Sequence, residues 1–192
     1  MAAASFLFVG VAVAQSSEMA GGTAQLDHAI NTRNAHIGQQ VEAKLQGTIR
    51  SSSGIDLPRG TQLMGKISSV RPSENGGPSS LGLLFTSAQL KDGKTVPVKV
   101  TLVGAYPSSD GVAEPYGEHS IMGPAPNHIN PKERIDQEAG VLSHVSMIAS
   151  AQGQNSATFR NKDGNVKLGT GTYFQVGVAP SIENNGGVQS GA

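Results

Sequence analysis

The sequence predicts a mostly β protein, built as a single open β-barrel or a sandwich with a long proline-rich insertion and one or two short helices. Its 192 residues suit one domain. The 25 glycines and 10 prolines disfavour helix interiors. Apolar and polar residues alternate in several stretches that are separated by turn residues. Many short strands joined by glycine and proline turns are typical of barrels and sandwiches.

The strand pattern begins at residue 41, where apolar and polar residues alternate as far as Ile49. A period of two is the pattern of a strand with one wet face. Leu57-Pro-Arg-Gly60 has the residues of a type I turn, because proline presets φ at the second position and glycine suits the fourth. A strand from Leu63 to Val70 is predicted after this turn.

A hairpin is predicted in the middle of the chain. A flexible loop over 72–80 leads into Leu81–Phe85, an apolar run that suits a buried strand. Asp92-Gly93 lies between two strand-like runs, which is the strongest short hairpin signal. The returning strand alternates over 96–102. Because Pro97 cannot donate to a ladder, this strand is expected at an edge or with a bulge.

The second half of the chain changes character at residue 105. Residues 105–140 have no hydrophobic period and are expected to be a long insertion. Helical spacing after the insertion predicts one amphipathic helix, carried by Val141, Leu142, Val145 and Ile148. Asp163-Gly164 predicts a turn, and the last strand is expected over 172–178. The β-rich domain is thus placed at 41–179, with a disordered tail over 180–192.

Two segments of the chain echo one another. DLPRGTQLMGKI begins at residue 56, and KLGTGTYFQVGV begins at residue 167. Each has an apolar residue, two further residues, Gly-Thr and then an alternating strand. Two copies at irregular spacing do not make a repeat array.

The N-terminus is predicted to be a signal peptide over residues 1–14. Residues 2–14 carry no charge, and the run is shorter than the ~20 apolar residues that a spanning helix needs. Ala12-Val13-Ala14 has the small-x-small pattern of a cleavage site before Gln15. The segment departs from the usual pattern because its first residues include no Lys or Arg. A buried N-terminal helix or strand is the alternative.

Residues 15–40 are polar and small, and are expected to be a flexible leader with at most one short helix around Leu26, Ala29 and Ile30. No second apolar stretch reaches spanning length, so the mature chain is expected to have no transmembrane segment. With the signal peptide, this predicts an exported protein that is periplasmic, extracellular or associated with the outer membrane.

The composition excludes several functional classes. The 14 basic and 14 acidic residues balance, which leaves little surplus charge for binding phosphates, so no nucleic-acid partner is expected. The chain has no cysteine, which excludes disulfides, thiolate catalysis and cysteine-based zinc sites. Apolar residues make up 37% and aromatic residues 4%, so a core of mainly Val, Leu, Ile and Ala is expected.

The turn and strand residues of the first half resemble those of known proteins. LPRGTQLMGK at 57–66, LGLLF at 81–85 and KDGKTVPVKV at 91–100 resemble uncharacterised exported proteins of acidobacterial type. More distantly they are similar to the β-barrel domain of the outer-membrane channel subunit of type IV secretion and conjugation systems. The matching positions are Pro58, Gly60, Thr61, Gly65, Asp92 and Gly93.

The same resemblance has clear limits. The channel subunits carry an inner-membrane helix, a long periplasmic linker and an apolar helical insertion, and these 192 residues show none of them. The insertion at 105–140 is instead polar and rich in proline. The resemblance therefore implies a β-barrel fold and an envelope location, and it does not imply a secretion pore.

No catalytic, cofactor-binding or metal-binding residue is predicted. Glu114, Glu118, His119 and His128 share the insertion, but their spacing matches no metal-binding motif. No G-x-S-x-G nucleophile elbow occurs. Gly169-x-Gly171 precedes a strand, whereas a phosphate loop needs a following helix. Tyr106 and Tyr116 flank the insertion and either form part of a binding surface or anchor the insertion to the barrel.

These expectations converge on a non-catalytic, exported cell-envelope protein with a structural or assembly role. Its expected partners are other envelope proteins or further copies of itself, contacted through strand edges or the insertion. The alternative is a periplasmic binding module for a small molecule or a glycan. No enzyme activity and no cofactor are expected.

Overall fold

The computed structural model describes residues 19–107, 142, 144–150 and 155–181, together with the backbone of 128–129. These residues contain strands and no helix. The strands are β1 (Met19–Leu26), β2 (Ile30–Asn31), β3 (Gln40–Leu45), β4 (Ile49–Arg50), β5 (Asp56–Leu57), β6 (Gln62–Arg71), β7 (Ser79–Gln89), β8 (Thr95–Tyr106), β9 (His128–Ile129), β10 (Val145–Ala149), β11 (Ala157–Asn161), β12 (Lys167–Leu168) and β13 (Tyr173–Pro180).

Six of these strands close an antiparallel barrel in the order β7, β6, β3, β1, β13 and β8, with β8 returning to pair with β7. The mostly β barrel expected from the sequence is confirmed, and it is closed rather than open. Its interior is filled mainly by Leu, Val, Ile and Ala side chains. Phe85, Phe159 and Phe174 are the largest buried groups, and the rings of Phe159 and Phe174 lie 6.1 Å apart.

Both expected helices are wrong, because no helix forms over the described residues of either segment and most of these residues lie in strands. Leu26 ends β1 and Ile30 begins β2, so the segment expected to be a leader supplies a barrel strand and the barrel begins before residue 41. Val145 and Ile148 belong to β10, whose buried residues are Val145 and Met147. In both segments, pairing with another strand outweighs the weak helical spacing and fixes an extended conformation.

Both turns discussed next occur where the sequence predicted them, one of them shifted by one residue. The Asp92-Gly93 hairpin joins β7 and β8 as expected, with Gly93 at φ 85°. The turn after Leu57 is shifted by one residue. The Thr61 N–H donates to the Pro58 carbonyl, and Gly60 has φ 86°, which places glycine third, as in a type II turn.

Strand β8 is not an edge strand, because β13 pairs with it on one side and β7 on the other. It does carry a bulge, at Val103 rather than at Pro97. Pro97 lies where the β13 ladder ends, and its carbonyl accepts a bond from the Ser181 N–H at 3.3 Å. The signal peptide, most of the insertion and the tail beyond Ser181 lie outside the described residues.

Each end of the barrel is covered by a two-residue ladder. The contiguous cap is the β4–β5 ladder, between strands β3 and β6 of the barrel. The split cap is the β2–β12 ladder, between β1 and β13, whose sequences lie near opposite ends of the chain. Because β1 and β3 are antiparallel neighbours, their carboxyl ends, and with them the two caps, lie at opposite ends of the barrel.

The two caps are built on the same hydrogen bonds. In the contiguous cap, the Leu45 N–H donates to Thr61 and its carbonyl accepts from Gly60, at 2.9 and 2.8 Å. In the split cap, Leu26 makes the same pair of bonds with Thr172 and Gly171, each at 2.8 Å. The sequence echo is therefore a structural one. Equivalent residues are Leu26 and Leu45, Ile30 and Ile49, Leu168 and Leu57, and Thr172 and Thr61.

The equivalence extends along the barrel strands and relates its two halves by a pseudo-twofold axis. Strands β1, β13 and β8 correspond to β3, β6 and β7. One extra residue bulges from β8 and one from β7, at the equivalent positions Val103 and Thr86. Bulges add local twist to a strand, and barrel closure requires twist. Each half therefore closes the barrel by the same device.

The β10–β11 hairpin breaks this pseudo-symmetry. Strands β7 and β8 pair only over Ser87–Gln89, and beyond that point β11 takes the place beside β7. The point where β7 and β8 separate is called the fork. Ser156 is fully buried there and hydrogen-bonds to both strands. Its hydroxyl accepts from the Phe85 N–H at 3.0 Å, its N–H donates to Leu83, and its carbonyl accepts from the Leu102 N–H at 3.0 Å.

Candidate functional site

The two caps differ in what their equivalent isoleucines contact. Ile49 of the contiguous cap packs on Gly22, where an added Cβ would lie 2.4 Å from its Cδ1 atom. The equivalent pair in the split cap is Ile30 and Val41. These two residues line a cleft of about 180 Å³. A glycine thus lets one cap pack tightly, and a valine at the equivalent place accompanies an open cleft in the other.

The cleft combines a buried apolar part with a polar rim. Ile30 and Val41 are buried, whereas His28 and Gln40 are exposed and Glu42 is half-buried. The remaining lining residues are Ala29 and Gln39. Ligand pockets for drug-sized molecules usually enclose ~300–1,000 Å³. This cleft is smaller than such pockets.

The loop over 32–39 lies beside the cleft and is firmly held. The Gly38 N–H donates to Ile67 at 2.8 Å, and the Ile67 N–H returns a bond to Gln39 at 2.9 Å. Ala35 donates its N–H to Asn31 and packs against the core. A loop tied at both ends and in its middle presents its remaining side chains in a defined arrangement.

Ile37 is an apolar residue of this loop that is not buried, because 66% of it is exposed. Four other isoleucines, Ile30, Ile49, Ile55 and Ile67, are each at most 4% exposed. The only other large apolar side chain exposed among the described residues is Ile148, at 45%. The Ile37 surface is defined here as the loop 32–39 with the cleft beside it.

Asn165 fastens the same end of the barrel. Its Oδ1 atom accepts bonds from the Thr32 hydroxyl at 3.0 Å and from the Ser73 N–H at 2.9 Å. Thr32 is buried, and its N–H donates to Val166. One side chain therefore joins the loop that carries Ile37 to the loop after β6.

Sequence patterns did not reveal the Ile37 surface. The region was expected to be a flexible leader, in which a single isoleucine carries no meaning. The one signal present is His36-Ile37-Gly38, an isolated apolar residue beside a glycine. Gly38 adopts φ 86°, so it marks the tight turn that holds Ile37 outward.

Tyr106, one of the two tyrosines expected to flank the insertion, ends β8 opposite Tyr173. An added Cβ on Gly104 would lie 3.1 Å from the Tyr106 ring, so the ring lies against the barrel wall. Burial raises the pKa of the Tyr106 hydroxyl. The Tyr106 ring therefore packs on the barrel itself. Tyr116 lies outside the described residues.

Most of the residues that could be drawn into a metal site are not described by the structure. Glu114, Glu118 and His119 lie outside the described residues, and only the backbone of His128 is described, opposite Ala20 in the β1–β9 ladder. Among the side chains that are described, no three of His, Asp or Glu lie close enough to hold a metal ion. Gly169-x-Gly171 forms the cap turn before β13, in keeping with a structural role.

The described part of the chain contains no helix that is long and apolar enough to cross a membrane. Taken together, the described residues form a capped β-barrel with an exposed isoleucine on a hydrogen-bonded loop.

No protein-family model matches this chain, and no curated protein matches it. Among solved structures, the chain is similar to ComB10 of the Com type IV secretion system of Helicobacter pylori. The similarity covers 85% of this chain and 86% of that chain, with 12% sequence identity and a TM-score of 0.36. So distant a likeness identifies neither a family nor an activity for this chain.

Proposed function

We propose that this chain is a non-catalytic cell-envelope protein with a structural or assembly role, and that the Ile37 surface is where it contacts another protein. The observation that carries the proposal is an isoleucine held outward by an ordered loop. Burying such a side chain contributes ~1.5–3 kcal/mol. Because 66% of Ile37 is still exposed in the folded chain, most of this gain is available to a partner.

The surroundings of Ile37 suit a binding contact. Apolar anchors that dominate protein interfaces typically lie in or beside small pockets, and the cleft provides one. The backbone bonds of Gly38 and Gln39 already order the loop, so little conformational entropy is lost when a partner binds. The polar rim of His28, Gln40 and Glu42 supplies groups that can fix the orientation of the partner.

Site-specific photocrosslinking tests this proposal. A photoreactive amino acid replaces Ile37 in the full chain, expressed in its host, and the adducts are identified by mass spectrometry. The expected result is one dominant adduct, with an envelope protein or with a second copy of the chain. The same reagent at Ile148 serves as the matched control. Equal, diffuse labelling at both positions would contradict the proposal.

A second variant separates contact from folding. Ile37→Ser should lose the partner found by crosslinking, while its melting temperature stays unchanged. Ile148→Ser should keep the partner. Loss of the partner in both variants, or in neither, would show that the Ile37 surface is not the contact.

Export remains part of the proposal and has its own test. Residues 1–14 have the composition of a signal peptide, with the small-x-small pattern before Gln15. N-terminal sequencing of the protein recovered from the envelope fraction is expected to begin at Gln15. A product that keeps Met1 and remains in the cytoplasmic fraction would contradict export.

The alternative function, a binding module for a small molecule or a glycan, has the cleft in its favour. A ligand that binds the folded state raises the apparent melting temperature by mass action. A thermal-shift screen with monosaccharides and small metabolites therefore tests it. A shift that disappears in Glu42→Gln would favour this alternative over a protein contact.

A further inference from the structure

An exposed turn at 74–77 joins an asparagine to a glycine. The Gly77 N–H donates to the Glu74 carbonyl at 2.9 Å and closes the turn. Asn75 and Gly76 both have positive φ, at 51° and 77°, as in the type I′ turns that favour Asn-Gly. Both residues are exposed.

Neither reactive group of this dipeptide is bonded to a residue that the structure describes. These groups are the Asn75 side-chain amide and the Gly76 N–H. The other described asparagines differ in this respect. At Asn34 and Asn155 the following N–H is donated to a carbonyl, to Asn31 at 2.9 Å and to Leu83 at 2.6 Å.

The last three described asparagines are held through their side chains. The Oδ1 atoms of Asn31 and Asn161 accept the N–H two residues on, each at 3.0 Å, and Asn165 joins two loops through the same atom. Asn75 is therefore the one described asparagine with both its amide and its following N–H open to water.

We infer that Asn75 is a site of spontaneous deamidation and isoaspartate formation. The Gly76 backbone nitrogen attacks the Asn75 Cγ atom, a new N–C bond forms, and the side-chain nitrogen leaves as ammonia with the proton of the Gly76 amide. Water then opens the resulting succinimide at either carbonyl, which yields aspartate or isoaspartate. Glycine favours the attack because it carries no side chain to shield its nitrogen.

The position of the turn gives the reaction a structural consequence. The Gly77 carbonyl accepts bonds from the Ser73 hydroxyl at 2.6 Å and from the Gly164 N–H at 3.1 Å. Isoaspartate inserts one methylene into the backbone two residues before Gly77. This insertion displaces the carbonyl and loosens the contact between the loop after β6 and the turn after β11. The inference is independent of the proposed function.

The test is incubation of the full chain in mildly alkaline buffer, followed by peptide mapping with mass spectrometry and isoaspartyl methyltransferase labelling. The 74–77 peptide is expected to change first among the described asparagine peptides. Its rate is expected to rise with pH, because the attacking amide must lose its proton. The same dipeptide at Asn185-Gly186 is resolved as a separate peptide and serves as an internal reference for the chemistry.

Asn75→Gly is the matched control, because glycine keeps the positive φ and removes the side chain. We expect the modified protein to melt at a lower temperature, because the contact of the Gly77 carbonyl is loosened. Asn75→Gly should abolish both this fall and the labelling of the 74–77 peptide. Asn75→Asp, with a normal backbone, should melt like the unmodified protein. Two results would overturn the inference: modification at Asn185 with none at Asn75, or modification of Asn75 only after the chain is unfolded.

Discussion

The contiguous cap and the split cap close the two ends of one barrel with the same turn, and they differ in how their side chains pack. The split cap has an open cleft, and the loop beside it carries the exposed Ile37. The backbones of the two caps agree because each must satisfy the same polar groups where a barrel strand ends. Their side chains differ. Gly22 admits Ile49 into the contiguous cap, whereas Val41 accompanies the cleft of the split cap.

One glycine–valine pair occurs at equivalent positions in the two halves, with the two residue types on opposite strands. Gly22 pairs with Val176 in one half, and the equivalent pair in the other half is Val41 with Gly65. Each pair contains one glycine and one valine, on opposite strands. The side-chain volume of the pair is therefore the same in both halves, while the glycine and the valine exchange strands. The halves differ in the caps, in the loop 32–39, in the β10–β11 hairpin and in a second bulge at Ser68 of β6, which the β13–β8 ladder lacks.

The largest effect is expected from Gly65→Ala. The added Cβ would lie 2.5 Å from the Leu84 carbonyl oxygen and 2.9 Å from the Phe85 Cα, so backbone must move. Overpacking of this kind costs about 3 kcal/mol. At Gly22 the obstruction is the Ile49 side chain alone, so Gly22→Ala is expected to cost about 1 kcal/mol.

Urea unfolding measures both glycine variants through the midpoint at constant slope. The double variant Gly22→Ala/Ile49→Val should recover part of the loss, because it shortens the obstructing side chain. Equal losses for the two glycine variants would contradict the distinction between backbone and side-chain obstruction.

Ser156→Ala tests the fork at which the pseudo-symmetry breaks. It removes the acceptor of the Phe85 N–H and leaves that group buried, which costs about 2 kcal/mol. Hydrogen exchange at the Phe85 amide should accelerate more than at other β7 amides. Ser87→Ala, on the same strand and half-buried, is the control and should change little. An unchanged Phe85 amide would contradict the role assigned to Ser156.

The pair Thr61→Val and Thr172→Val tests the equivalence of the caps. Each buried threonine donates its hydroxyl to a carbonyl in its turn, Pro58 at 2.8 Å and Gly169 at 2.7 Å. Each variant is expected to lose about 1 kcal/mol. The two losses should agree within about 0.5 kcal/mol and add in the double variant, since the caps lie at opposite ends of the barrel. A clear inequality would show that the caps are not energetically equivalent.

Ile37→Ser is expected to have the smallest effect on stability, within about 0.5 kcal/mol of the parent protein. The exposed side chain contributes little to the fold, and its loop is held by backbone bonds. Ile30→Val, in the buried cap nearby, should cost about 1 kcal/mol and is the control. Thermal unfolding compares the two. A loss at Ile37 as large as that at Ile30 would mean that Ile37 serves folding rather than contact.

Local patterns determined the parts of this fold that depend on neighbouring residues. The alternation from residue 41, the Asp92-Gly93 hairpin and the Gly-Thr echo were readable from the sequence, because backbone conformation and one wet face leave short-range marks. The expectation that no catalytic or metal-binding motif is present was also local in origin. It remains a prediction for the whole chain.

Only the tertiary structure decided which strands meet. β1 contains Gly21-Gly22, which weakens a strand by local measures, and its partner β13 lies near the other end of the chain. Val145 and Ile148 have a helical spacing, yet pairing with β11 selects a strand in which Val145 and Met147 share the buried face. Ile37 acquires meaning only because bonds to Ile67 hold its loop outward. Strand pairing and exposure depend on residues remote in sequence, and for that reason local patterns leave them open.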